Sequence, residues 1–127
     1  MAEAKKKVTI EERIARIRET FEALARDDVD KELEGYTEDA VFHSQLRGSD
    51  FRGKAAIRTD ALKQSDEFKG KMELHDVCAS RDHVVALFES IPQAGEKPLF
   101  DRLIYVAHVN DDGKITEIWP IYNKTLA

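Results

Sequence analysis

The sequence contains one cysteine, one tryptophan and no long apolar run. A lone cysteine, Cys78, cannot close an internal disulfide, which points to a reducing compartment. No stretch approaches the roughly 20 apolar residues that span a bilayer. The opening MAEAKKKVTIEER has basic residues but no apolar segment behind them, so it does not read as a secretory signal. Positive charge is also in deficit. Lys and Arg number 20 against 25 Asp and Glu, a net charge of -5, which argues against a general nucleic-acid binder. There is no His-x-His pair and no paired cysteine to suggest a metal site. Gly48 and Gly53 lack the spacing and the Lys-Ser/Thr ending of a phosphate loop. The cluster Asn110 to Gly113 has some calcium-loop chemistry, but His108 and Trp119 would then occupy its first and last ligand positions, and neither suits a hard cation. What remains is a cytoplasmic protein with no membrane or nucleic-acid partner and no metal or cofactor.

What is present is a chain of one domain's length, 127 residues with 42% hydrophobic and 35% charged side chains. Such a chain buries roughly two-thirds of its unfolded surface, enough for a core without cross-links. The dominant feature is Leu99 to Tyr122: two β-branched and aromatic runs around the turn formers NDDG, a hairpin signal. In alternation, Asp101, Leu103, Tyr105, Ala107 and Val109 share one face; Phe100, Arg102, Ile104, Val106 and His108 share the other. Both faces are largely apolar, so both need cover.

The rest of the chain supplies it. Residues 1–8 read as a flexible tail and 9–127 as a single domain. Thr9 and Glu12 form a capping box, in which hydroxyl and carboxylate each take a backbone N–H. Ile10, Ile14, Ile17, Phe21 and Leu24 then give one apolar stripe of a helix. Asp27 and Asp28 open a second, short helix with Val29, Leu33 and Tyr36 on its buried side. Thr37 to Asp39 reads as a turn, Ala40 to Leu46 as a strand and Arg47 to Gly53 as a polar loop. Lys54 to about Ser65 is a third helix carrying Ile57, Ala61 and Leu62. Phe68 plugs the core's end. Lys71 to Ala79 and His83 to Ile91 are strands with His75 and His83 near their ends, and Pro92 to Pro98 is a polar connection. Helices early and strands late indicate an α+β fold, a curved, mixed but mostly antiparallel sheet wrapped around N-terminal helices. Such a cone encloses a cavity.

The stretches ARDDVDKELEGYTEDAVFH, FRGKAAIRTDA and DGKITEIWPIYN resemble the nuclear transport factor 2-like superfamily, and within it the SnoaL-like and ketosteroid-isomerase-like branch. The resemblance runs from about Ile10 to Asn123. It implies a cystatin-like α+β barrel, an interior pocket for a small molecule, and often a homodimer across the outer sheet face. The family's isomerase tyrosine falls near Thr20, its general base at Ser44 and its second aspartate at Tyr105. The cyclase Trp-Asp pair falls on Trp119-Pro120. Each family carboxylate is therefore replaced.

The remaining candidates for acid–base work are His43, beside the base position, and Tyr105, whose phenol can donate to an oxyanion. Asp101 is the third; an apolar cavity would raise its pKa. On a regular strand His43 faces away from the cavity that Phe42 and Ser44 face. Phe42, Ser44, Leu103, Ile118 and Tyr122 are the expected ligand-binding lining. Trp119 and His108 face outward, where an aromatic anchor suits a homodimer interface. Cys78 reads as inert packing. The expected function is binding of an apolar or aromatic small molecule, with isomerase- or cyclase-like, cofactor-free chemistry on a carbonyl or polyketide-like compound. A non-catalytic ligand-binding or dimeric interaction module of the same fold is the alternative.

Overall fold

The computed structural model describes residues 8–44, 48–67, 71–91 and 100–124, apart from the side chains of 65–67, 71, 100, 101 and 122–124. The expectations for the tail, for Phe68 and for the connection Pro92 to Pro98 lie outside the described residues. In chain order the elements are α1 (Ile10–Ala25), α2 (Val29–Leu33), β1 (Tyr36–Ser44), β2 (Ser49–Arg52), α3 (Lys54–Glu67), β3 (Lys71–Ala79), β4 (His83–Ile91), β5 (Phe100–Val109) and β6 (Ile115–Lys124).

The strands form one sheet in the order β2-β1-β6-β5-β4-β3. Only β1 and β6 run parallel; the other pairs are antiparallel. The mixed, mostly antiparallel sheet is as expected, but it is open: β2 and β3 each have one neighbour, so the barrel does not close. Register shifts interrupt β1/β6, β3/β4 and β5/β6. Such bulges bend strands and increase local twist, which curls the sheet.

The helices cover one face. Ala40 and Phe42 of β1, Val84, Ala86 and Phe88 of β4, Leu103, Tyr105 and Ala107 of β5, and Ile118 of β6 are buried there against Ile17, Phe21 and Leu24 of α1, Val29 and Leu33 of α2, and Ile57 of α3. Each large apolar side chain removed from water contributes about 1.5–3 kcal/mol.

Two departures from the sequence reading concern local structure. The segment read as a loop contains β2, and the segment read as a turn, Thr37 to Asp39, lies within β1. Backbone pairing with β1 makes the first, since SDFR offers a single apolar residue; Thr37 to Asp39 span the irregular stretch of β1 between its paired residues Tyr36 and Val41. The apolar stripe of α1 also sits differently. Ile10 is 68% and Ile14 38% exposed, while Arg13 and Thr20 are buried beside Ile17, Phe21 and Leu24. Arg13 earns its place by donating to the backbone carbonyls of Arg81 and Asn110, one in each of two turns of the sheet. Arg16 donates to the Asp112 carbonyl at 3.1 Å. Thr9 does cap α1, accepting from the Glu12 N–H at 3.1 Å, but the Glu12 carboxylate binds the Thr9 hydroxyl rather than its N–H.

The turn joining β5 to β6 is a hairpin turn, not an ion loop. The Asn110 side-chain oxygen accepts from the N–H groups of Asp112 and Lys114, both at 3.0 Å, and Gly113 takes the left-handed φ of 80°.

Candidate functional site

Tyr105 lies on the inner face, where two buried carboxyls, Glu32 and Asp60, are near enough to act on it electrostatically. Its ring packs on Phe88 (5.5 Å, edge-on), Phe21 (5.9 Å) and Phe42 (6.4 Å, edge-on). Burial pushes its phenol above the ordinary range, and the nearby carboxyls of Glu32 and Asp60 push it further, so the hydroxyl stays neutral. Asp60 of α3 is buried. Glu32 of α2 is buried too, and burial raises its carboxyl from 4.5 to about 7 despite the bond from Tyr36; Asp27 adds to the rise. Tyr36 donates to Glu32 Oε2 at 2.6 Å, and its own phenol is raised by burial and by Glu32. A carboxyl near neutrality beside a neutral phenol in an apolar core is an arrangement typical of acid–base sites.

Phe42, Ser44, Leu103 and Ile118 are all buried on this face with Tyr105, where the sequence placed them. Pro120 pairs with Tyr105, and Tyr122 pairs with Leu103 by register. The side chains of Tyr122 and Asp101 lie outside the described residues. Glu32 and Asp60 were not anticipated. The signal was in the spacing: Glu32 follows Val29 by three and precedes Leu33, and Asp60 follows Ile57 by three and precedes Ala61, so both fall on apolar helix faces.

His43 is elsewhere. Alternation along β1 carries it to the outer face, opposite Phe42 and Ser44, so it does not reach the group around Tyr105. There its ring lies flat on Trp119, centroids 4.9 Å apart and planes 10° apart. Its Nδ1 is 2.8 Å from Asp50 Oδ1 and its Nε2 is 2.6 Å from Glu117 Oε2. His108 shares that face as expected, edge-on to Trp119 and to His83. Cys78 is exposed rather than packed, paired in register with Val85. An open depression of about 370 Å³ on this face is lined by residues including His43, Asp50, Val106, Trp119 and Ile121. Among the described residues no three His, Cys, Asp or Glu side chains gather as a metal site requires. No helix is long and apolar enough to cross a membrane among those residues.

Comparison with known proteins agrees with this architecture. The family model of the SnoaL-like domain matches residues 17–118. No curated protein matches the chain. Among solved structures, a cystatin-like protein of unknown function from Methylobium petroleophilum superposes with a TM-score of 0.74 at 16% identity, covering 96% of this chain and 82% of that one. A candidate polyketide cyclase from Sinorhizobium meliloti gives 0.68 at 19% identity, covering 84% and 94%. A candidate ketosteroid isomerase from Kribbella flavida gives 0.68 at 14% identity, covering 92% and 82%. At these identities the likeness is one of fold.

Proposed function

Because the chain belongs to the SnoaL-like domain family, we propose that it binds a small apolar or aromatic molecule against the inner face of its sheet and carries out cofactor-free acid–base chemistry on a carbonyl or polyketide-like group of it. The observation that carries this reading is that two buried carboxyls, Glu32 and Asp60, act on the buried phenol of Tyr105. The neutral Tyr105 hydroxyl donates to a carbonyl oxygen and stabilises the enolate that forms as an α-proton leaves. Glu32, at about 7, is matched to taking that proton and returning it elsewhere on the substrate. Tyr36 fixes one of its carboxyl oxygens.

The test has two readouts. Thermal shift against small aromatic and polyketide-like ketones reports binding. Loss of α-proton NMR signal in heavy water reports proton abstraction. Tyr105→Phe and Glu32→Gln should each slow exchange by about 100-fold or more while keeping the thermal shift. Exchange that is unchanged in both variants rejects these assignments. Binding with no exchange in the wild type favours the second reading, a binding module. That reading draws on Ser44, Tyr105 and Pro120, which stand where the resemblance places the family's carboxylates.

Two further proposals complete the picture. A second copy packs on the outer face over Val106, Trp119, Ile121 and Val85, with His108 at its margin; the last two apolar groups are exposed in the single chain. The exposed, unpaired Cys78 favours the cytoplasm.

A further inference from the structure

The outer face carries an ordered polar array that the inner site does not use. His43 sits between two carboxyl groups from different strands, Asp50 of β2 at 2.8 Å and Glu117 of β6 at 2.6 Å. Ionised carboxylates only accept hydrogen bonds. A neutral imidazole has one N–H and can satisfy one of them; only the imidazolium donates to both. Its flat placement on Trp119 favours the same charge state, since a cation is attracted to the indole face.

We propose that His43, as an imidazolium, is a pH-sensitive latch that fastens the edge strand β2 to the outer face of the sheet, and that loss of its proton frees β2. Besides its backbone pairs with β1 and Phe51, which packs partly buried against the core, the strand has little to hold it. It has four residues, none of them buried, and one neighbour. Asp50 stands directly across from His43 in the β1/β2 register. Behind β2, Gly53 leads at once into α3, which carries Ile57 and Asp60 to the inner face. Release of β2 therefore loosens the tether at the start of α3.

The charged groups facing the latch come from three strands. Asp50 and, 3.9 Å beyond it, Arg52 belong to β2. Glu117 belongs to β6, and its other oxygen is 3.4 Å from His108 Nδ1 of β5. Farther out, His108 meets His83, which pairs with Asp82. Burial lowers the His43 pKa, but the bonds to Glu117 and Asp50 outweigh it and leave the pKa above 6.5. A raised folded-state pKa means the latch is closed below the free value and opens as pH rises through the folded one. On deprotonation one contact loses its proton, and Asp50, the longer and more exposed partner, is the one to part.

Trp119 is the only tryptophan in the chain, so its emission reports on the stacked ring. A fluorescence titration from about pH 5 to 9 should show a transition with a midpoint above 6.5. The transition should vanish in His43→Gln, persist in His108→Gln, and move down toward the free value in Glu117→Gln. Hydrogen exchange of the β2 amides, corrected for intrinsic rates, should lose protection above the midpoint, about tenfold for each unit by which the pKa is raised. Ring-nitrogen NMR of wild-type His43 should show both nitrogens protonated below the midpoint. A transition that survives His43→Gln, a His43 that titrates at or below 6.5, or β2 protection that ignores pH overturns the proposal. None of these measurements uses a substrate, so they stand or fall apart from the inner-site reading.

Discussion

Tyr36 donates its phenolic hydrogen to Glu32 at 2.6 Å, both side chains buried, so the first residue of β1 holds an acid from α2 inside the core. The folded state binds the Glu32 proton more tightly than the unfolded chain does, with a pKa raised from 4.5 to about 7. Its stabilising contribution is therefore complete below the unfolded value and lost as pH rises through the folded one, a loss of about 3 kcal/mol. Urea unfolding from about pH 4 to 8 should show this decline. In Glu32→Gln, which keeps an acceptor for Tyr36 but cannot ionise, the decline should flatten and stability at the alkaline end should exceed that of the wild type. An equal slope in both proteins would assign the pH dependence to other groups.

Arg13 binds two turns that are distant in sequence, through the carbonyls of Arg81 and Asn110. Arg13→Met keeps the stem and removes the donors, leaving the Arg81 and Asn110 carbonyls without that partner. We expect a cost of about 2–3 kcal/mol by chemical denaturation. Arg16→Met loses one bond at the exposed edge and should cost less than about 1 kcal/mol. Equal effects in the two variants would contradict the assigned roles.

Gly35 leaves no space for a side chain. A Cβ built there would lie 1.9 Å from Thr20 Oγ1 and 2.7 Å from its methyl. Gly35→Ala must push α1 away from the start of β1 and should cost about 2–3 kcal/mol. Adding Thr20→Ala should recover part of that cost, a coupling that a double-mutant cycle measures directly. Additive effects would mean that the two residues do not meet.

A dimer through the outer face should elute at twice 14.5 kDa at micromolar concentration. Trp119→Ala should shift that equilibrium toward monomer by about tenfold to a hundredfold, the range of an aromatic interface anchor. A wild type that is monomeric under those conditions removes this prediction.

Much of the fold could be read directly from residue patterns. The alternation from Leu103 to Val109 and the NDDG turn set the β5/β6 hairpin, and His83 and Ile91 bound β4 as expected. The same alternation placed Trp119 outward and Ile118 inward. What stayed hidden depends on partners. SDFR becomes a strand because β1 offers it four backbone pairs. On α1 the buried phase is occupied by Arg13, whose partners lie in distant turns, and by Thr20, which donates to the Arg16 carbonyl one turn back and lies close to Gly35, so counting apolar residues favoured Ile10 and Ile14 instead. Glu32 and Asp60 were legible by phase but not by type, because helix spacing gives position and says nothing of what surrounds a carboxyl. The outward phase of His43 was legible; its two acids, brought in from β2 and β6, were not.

The parallel pairing of β1 with β6 has a consequence for synthesis. β6 lies between β1 and β5 in the sheet yet follows every other strand in chain order. Until it leaves the ribosome, β1–β2 and β3–β5 are two separate ribbons, each with an open rim able to recruit a stranger. Assembly must then join residues some 80 positions apart (Tyr36 with Ile115, Phe42 with Ile118), a long-range closure that slows folding. A stalled chain lacking β6 would be a target for chaperones or proteolysis.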